Sequence, residues 1–155
     1  MTLMMTFSFA DTLRRVAMQT AYQAVKSDTA DTLYDRVAVV EADAELLRPM
    51  WRESMASVEQ AVAAYVRGAA GQHGCDDVLR LVLHLPSNFH PSAPDIVRRY
   101  ADAFVTYDLE ARWLSVSLPE KASGARAMAD QSMAGLKSAL DMRRRKPCPP
   151  ELPQK

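Results

Sequence analysis

The stretch SAPDIVRRYADAFVTYDLEARWLSVSL, residues 92–118, decides the fold of this chain. Its apolar residues recur every three or four positions, which stacks them on one side of a helix. The stripe consists of Val97, Tyr100, Ala101, Phe104, Tyr107, Ala111, Leu114 and Leu118. Ser92 stands at the cap position, with Pro94 early in the first turn and Asp95 three residues after the serine. A helix of this kind buries its stripe, either in its own core or against another subunit.

Two further stretches with helical spacing lie near the two ends of the chain. The first helix is predicted to begin at Ser8, because Asp11 follows three residues later in a capping-box-like arrangement, and to end near Lys26. Pro119 either closes the helix of residues 92–118 or opens the last helix, which has Glu120 in its first turn and runs to about Arg145. Both have apolar residues on one face only, which favours packing against the rest of the molecule.

The second helix along the chain is predicted from about Glu41 to Arg67, ended by Gly68. Pro49 falls inside this run, and a proline removes one backbone donor and clashes with the preceding turn. We therefore expect either a kink at Pro49 or a helix that begins near Arg48.

One segment has the period of a strand rather than of a helix. Residues 78–85, ended by Pro86, alternate four leucines with valine, arginine and histidine. The leucines are Leu79, Leu81, Leu83 and Leu85. A lone strand cannot satisfy its backbone groups, so it must pair with Val37–Val40 of the same chain or with an edge offered by a neighbouring subunit.

The sequence therefore predicts a mainly α fold, a four-helix bundle-like domain with one short β element. At 155 residues the chain is expected to form a single domain, residues 1–146. Residues 147–155 contain Pro147, Pro149, Pro150 and Pro153, which predicts an extended, disordered C-terminal tail.

The composition excludes several classes of protein. Nineteen basic residues balance nineteen acidic ones, so a general electrostatic grip on nucleic acid or anionic lipid is not expected. The two cysteines, Cys75 and Cys148, give no disulfide framework, which favours a reducing compartment. Residues 1–10 are apolar but lack a basic leading segment, and no apolar run reaches the length of a membrane span. We expect a soluble protein, cytoplasmic where it is made.

Candidate ligands for a metal occur together in one loop only. His73, Cys75, Asp76 and Asp77 are near neighbours, but no second Cys/His pair elsewhere completes a tetrahedral site. We therefore predict a solvated loop and no metal.

The candidate acid–base residues of the sequence are also explained without catalysis. An acidic cluster precedes the second helix: Asp31, Asp35, Glu41, Asp43 and Glu45. Carboxylates in this position stabilise the positive end of a helix, which we prefer to an acid–base role. No nucleophile elbow, phosphate loop or dinucleotide fingerprint occurs, so no catalytic residue and no cofactor are predicted. An enzyme would require a deep polar pocket around His84 or His90.

Arg143-Arg144-Arg145-Lys146 is the one run of like charge. It could contact phosphates or an acidic protein surface. It could instead complement the dipole at the end of the last helix. We favour this structural interpretation because no aromatic residues are interleaved with the cations.

Several segments, taken in order, resemble a group of virion proteins. They are TAYQAVK (20–26), YDRV (34–37), ELLRPMWRES (45–54), LHLPSNF (83–89), YDLEARWL (107–114) and RRRKP (143–147). Their order is similar to that of small helical proteins encoded among the virion structural genes of tailed phages and prophages of gut Bacteroidetes-type bacteria. The resemblance spans residues 14–147, and its motifs are packing motifs.

The resemblance implies a structural role in the neck of the virion. It implies a head–tail connector or adaptor whose copies form a homo-oligomeric ring below the portal, in contact with portal and tail proteins and weakly with packaged DNA. We expect the protein in the neck of the virion, and in the host cytoplasm during assembly. No active site carries over.

We expect two sets of residues to form the interfaces of such a ring. The apolar set is Leu79, Leu81, Leu83 and Leu85, and the basic set is Arg143, Arg144 and Arg145. The alternative is a small nucleic-acid-binding or regulatory protein that uses the basic end of the last helix.

Overall fold

A computed structural model describes residues 1–26, 38–66, 72–73 and 77–143. The predicted tail, residues 147–155, lies outside them. In chain order the elements are β1 (Thr2–Ser8), α1 (Phe9–Lys26), α2 (Ala44–Val62), β2 (Gln72–His73), β3 (Val78–His84), α3 (Ala93–Ser117) and α4 (Pro119–Leu140), with 3-10 turns at Glu41–Asp43 and Ala63–Tyr65. The described residues form a mainly α structure of four helices and a small antiparallel sheet, which confirms the predicted fold class.

The starts of two helices show how local sequence sets their boundaries. The Ser8 hydroxyl accepts a hydrogen bond from the backbone N–H of Asp11 at 3.4 Å, so the first helix begins where predicted. Ser92 precedes α3 as predicted, but its side chain does not cap the helix. The Ser92 hydroxyl lies 2.7 Å from Nδ1 of His90 instead. The predicted position of Ser92 before α3 was therefore right, but the predicted hydrogen bond from the helix to its side chain was wrong.

Helix α2 runs through Pro49 rather than starting beside it. The helix begins at Ala44, close to the predicted start at about Glu41, so the alternative of a start near Arg48 was wrong. Asp43 stabilises the 3-10 turn that precedes the helix, because its Oδ2 accepts the N–H of Val40 at 2.9 Å. The helix ends at Val62 and continues into a 3-10 turn, and the predicted end at Arg67 lies outside the described residues.

The last helix is shorter than predicted. Helix α4 ends at Leu140, where the predicted end was Arg145. The reason is tertiary: the chain after α4 pairs with the loop before α3. The N–H of His90 donates to the carbonyl of Met142, and Phe89 and Arg143 form a β-bridge.

The predicted strand exists, and its partner is the beginning of the chain. Strand β3 lies in the middle of the sheet, with β1 on one side and the two-residue β2 on the other. Strand β1 pairs antiparallel with β3 along its whole length, with Leu3 opposite Leu83 and Met5 opposite Leu81. Both proposed partners were therefore wrong for the described part of the chain: β1 supplies the main pairing, and neither residues 38–40 nor another subunit does.

The alternation of the sheet separates a buried face from an exposed one. The side chains that point to the helices are Leu3, Met5, Phe7, Leu79, Leu81 and Leu83, and all of them are buried. The opposite face carries Met4 and Val82, which lie across from each other and are 60% and 38% exposed. The segment 2–7 alternates between buried and exposed residues in the same way, and in the sequence only the apolar Met4 interrupts this period of two.

Helix α3 is the centre of the helical layer. Helices α1, α2 and α4 all pack against it. Its contact with α4 is the most extensive, because Leu118 alone connects the two helices. Gly135 of α4 lies against the Tyr100 ring, and a Cβ there would come within 2.5 Å of that ring. The missing side chain therefore lets the two helices approach closely at this point.

Candidate functional site

The polar groups buried along α3 fall into two sets on different flanks of the helix. One flank faces α2 and α4, and the other borders α1. Because residues two positions apart on a helix point in different directions, Asp108 and Glu110 belong to different flanks. Both are 2% exposed, so the protein must compensate two carboxylates that water hardly reaches.

Asp108 is compensated completely. It accepts hydrogen bonds from the Ser54 hydroxyl at 2.7 Å, from Nε of Arg112 at 2.8 Å and from Nη1 of Arg126 at 2.9 Å. Arg112 also pairs with Glu53. The network joins α2, α3 and α4 through one carboxylate. Its members are occupied with one another, so the arrangement ties helices together and offers no free acid or base for chemistry.

The other flank of α3 is open and forms a groove. Arg99, Ala103, Tyr107 and Glu110 follow one another at intervals of four, four and three residues, so they lie in one line along the helix. Helix α1 borders this line on one side and the first half of α4 on the other. Two cavities of about 620 Å³ and 440 Å³ follow the line and share Tyr107 in their walls. We call this depression the α3 groove.

One end of the α3 groove is basic. Arg15, Arg98 and Arg99 line it together with Asp95 and Asp102. Nη1 of Arg15 lies 3.9 Å from Oδ1 of Asp102. Partial burial raises the pKa of Asp102, although the charges of Arg15 and Arg98 act to lower it. Three cations against two carboxylates leave this end with an excess positive charge.

The other end of the α3 groove is acidic. Glu110 and Glu120 line it together with Lys121. Burial raises the pKa of Glu110, and a hydrogen bond from Nε2 of Gln23 to the carboxylate partly opposes that rise. Within the described residues, Oε1 of the same Gln23 is buried and accepts no hydrogen bond. Glu110 is therefore much less well compensated than Asp108.

Exposed apolar side chains stand beside the groove. Met18 and Tyr22 are one turn apart on α1, and each is 68% exposed. Met128, on the α4 wall, is 43% exposed. Large apolar side chains grouped beside a groove are typical of a surface that contacts another molecule.

The predicted apolar interface lies inside the molecule. Leu79, Leu81, Leu83 and Leu85 are between 0% and 3% exposed and belong to the hydrophobic core. The prediction that they supply apolar area to an interface was therefore wrong. The physical reason is that β1 supplies the pairing and the helices cover the face on which the leucines point.

The predicted basic interface is only partly described. Arg143 packs over the ring of Phe89 at 4.2 Å and donates to the carbonyl of Leu140 at 2.8 Å, so it closes the end of α4. This contact agrees with the structural interpretation of the basic run. Arg144 and Arg145 lie outside the described residues.

The other candidate residues do not converge on a site. Within the described ranges no three potential metal-binding side chains come together, and Cys75 and Asp76 of the candidate loop lie outside those ranges. Neither His84 nor His90 lines the α3 groove. Glu41 and Asp43 lie in the 3-10 turn before α2 and Glu45 in its first turn, as expected of helix-stabilising acids, whereas Asp31 and Asp35 are not described.

Sequence reasoning overlooked Asp108 and Glu110, although a signal for both was present. Asp108 follows Phe104 by four residues and Glu110 precedes Leu114 by four, so both charges fall within the apolar stripe of α3. A carboxyl group in such a stripe must be paired, become protonated or face another molecule. The sequence does not tell which of these applies to each residue.

No family model, curated protein or solved structure matches the chain. Among the described helices, none combines the length and the apolar character that crossing a membrane requires.

Proposed function

We propose that the chain is a structural protein of a tailed-phage virion, a head–tail connector subunit in the neck, and that it acts by binding other protein surfaces. The observation that carries the binding role is the α3 groove, which is open, has ends of opposite charge and is bordered by exposed Met18, with exposed Tyr22 one turn further along α1. The virion assignment rests on the resemblance of the six sequence segments to phage neck proteins.

The distribution of polar groups supports a binding role over an enzymatic one. The buried carboxylate of Asp108 accepts hydrogen bonds from Ser54 and two arginines, and these bonds join three helices. The groups that line the groove are spread along its length, with Arg99 and Glu110 separated by eleven residues of helix, or about 17 Å. Such a spacing suits recognition of a long surface and not the concentration of several groups on one reacting atom.

The proposal changes the expected contact surface. The four leucines of residues 79–85 belong to the core, so the interfaces of a connector would be formed by the α3 groove and by other exposed surfaces. Partners would be further copies of the chain in a ring, and the portal and tail proteins above and below it. Arg143 is engaged in its own chain, which leaves the described part of the basic run little freedom to hold packaged DNA.

Deleting the gene from the phage that carries it tests the virion role directly. We expect filled heads and complete tails that remain separate, because a connector joins the two. Wild-type protein supplied in trans should restore joined particles, and purified particles should contain the chain. Joined, infectious particles that form without the protein would contradict the proposal.

Binding to duplex DNA at two salt concentrations tests the alternative of a nucleic-acid-binding protein. We expect negligible affinity at physiological salt, because the chain has no net charge. Tight binding that weakens steeply with salt would favour the alternative and contradict the connector.

A further inference from the structure

We infer that the α3 groove is where two copies of this chain pair about a two-fold axis, with α1 of one copy antiparallel to α1 of the other and Met18 at the axis. This inference deepens the proposed function, on which it rests in taking the groove as a protein interface. It does not depend on the assignment to a virion. The occupant follows from the charges of the groove, from the register of its walls and from the position of its exposed apolar residues.

The charges of the groove favour a second copy as the occupant. The basic end carries Arg15, Arg98 and Arg99 with two carboxylates, and the acidic end carries exposed Glu120, one lysine and, beneath them, the buried carboxylate of Glu110. A two-fold axis perpendicular to α3 and lying in the interface reverses the second copy end to end. Each basic end then meets the acidic end of the other copy, so the surface is complementary to itself.

The register of α1 against α3 locates the axis. Arg15 lies beside Asp102, and Gln23 binds Glu110, so both contacts have the same separation of 87 residues in sequence. The two helices therefore run in the same direction, side by side. The middle of the line from Arg99 to Glu110 is level with Met18 of α1. An axis that exchanges the charged ends must pass close to this residue.

The side chains near this point suit such a contact. Met18 is 68% exposed, and its flexible thioether packs readily against an identical copy. Ala103, a small residue, lies on the groove floor nearby and allows close approach. Across the axis, Arg14 of one copy lies opposite Tyr22 of the other, an arrangement that permits a cation–π contact.

A two-fold contact closes after two copies, whereas a ring is built from head-to-tail contacts. A ring of this protein would therefore use a second surface, and its subunits would pair through the groove. The difference gives a specific chemical signature. Only a two-fold axis at position 18 places that position next to itself in another copy.

Disulfide cross-linking tests the axis. We would place Met18→Cys in the full chain with Cys75→Ser and Cys148→Ser, and use Ala134→Cys on the exposed face of α4 as the matched control. Under mild oxidation, Met18→Cys should give a covalent dimer on a denaturing gel, while Ala134→Cys should remain monomeric. Equal cross-linking of both variants, or none at position 18, would overturn the inference.

Charge reversal tests the end-to-end orientation. Arg99→Glu and Glu120→Arg should each weaken dimerisation by about tenfold, and the double variant should recover most of the affinity. The two residues lie at opposite ends of the groove in one chain, so recovery requires a second copy in the reversed orientation. If the double variant is weaker than either single variant, the antiparallel pairing is wrong.

Met18→Glu separates loss of pairing from loss of folding. Because Met18 is largely exposed, the circular dichroism spectrum should stay that of the wild type, while the dimer dissociation constant should rise about a hundredfold. An unchanged dissociation constant, measured by analytical ultracentrifugation, would exclude Met18 from the interface.

The outcomes also distinguish this inference from the proposed function. A multimer that does not cross-link through position 18 would overturn the two-fold pairing and leave the connector standing. A dimer that cross-links through position 18, in a protein that phage particles neither contain nor need, would overturn the connector and leave the pairing standing. A strictly monomeric protein would overturn the pairing and remove the support that the groove gives to the connector.

Discussion

Asp108 and Glu110 are two residues apart on the same helix and equally buried, yet the protein treats them differently. Asp108 receives hydrogen bonds from a serine and two arginines and connects three helices. Glu110 receives one from an amide, and its pKa is raised because burial is not fully compensated. On the flank of α3 that faces α2 and α4, which we call the closed flank, the buried carboxylate is fully hydrogen-bonded. On the flank that forms the α3 groove, the open flank, the buried carboxylate is not. A buried carboxylate with few hydrogen-bond partners is tolerated where the surface binds another molecule.

The largest effect is expected from removing Asp108. Asp108→Ala should lower the free energy of unfolding by about 2–3 kcal/mol, because Ser54 and two arginines lose their common acceptor and a cavity remains. Urea denaturation followed by circular dichroism measures this loss. The matched control is Asp130→Ala on α4, whose carboxylate is exposed and should contribute less than about 0.5 kcal/mol. Equal losses for the two variants would show that Asp108 does not hold the closed flank together.

A smaller effect, with opposite signs on the two flanks, is expected from two glycines of α4. Gly135→Ala should destabilise the protein by about 1–2 kcal/mol, because the new Cβ would meet the Tyr100 ring at 2.5 Å. Gly124→Ala, in the groove wall, meets no atom within 4 Å and should stabilise by about 0.5–1 kcal/mol, since alanine favours the helix. Thermal melts of both variants check the signs. If Gly135→Ala were also stabilising, the close approach of α3 and α4 would be less tight than the structure shows.

The smallest effect concerns Glu110 and depends on pH. Because folding raises the pKa of Glu110, the folded state binds its proton more tightly, and the contribution of this group to stability falls as pH rises from about 4.5 through the folded-state pKa. Glu110→Gln removes this fall and can still bind Gln23. The variant should therefore match the wild type at pH values below 4.5 and be the more stable of the two at neutral pH.

The control for this experiment removes any effect of dimerisation from the measured stability. Measuring both proteins with Met18→Glu present holds them monomeric, so that the pH dependence reports on folding alone. Asp102 is common to both proteins, so its own raised pKa cancels in the difference. A variant that is less stable than the wild type at neutral pH would mean that the Glu110 charge is well compensated, and the contrast with Asp108 would fail.

The elements differ in how far the sequence alone predicts them. The stripe from Val97 to Leu118 and the alternation of residues 78–85 were sufficient for α3 and β3, because both periods follow from backbone geometry. The end of α4 was not predictable, since the pairing of Phe89 with Arg143 terminates it from outside. The partner of β3 was missed because a period of two identifies a strand and does not say which strand it joins.

The candidate site was less accessible to prediction than the fold. The leucines of β3 were expected at an interface, and the structure places them in the core, because an apolar stripe looks the same whether its own chain or another one covers it. The charges of Asp108 and Glu110 within the α3 stripe were visible in the sequence. Their roles depend on Ser54, Arg126 and Gln23, which lie far from them in the chain or on other helices.

The sequence by itself determined the helices, the central strand and the balance of charge, because each depends on residues close together in the chain or on composition. Only the tertiary structure decided that the first residues complete the sheet, that Asp108 is compensated and Glu110 hardly is, and that a groove remains open beside α1. These outcomes depend on which distant surfaces meet, and local periodicity carries no information about distance in space.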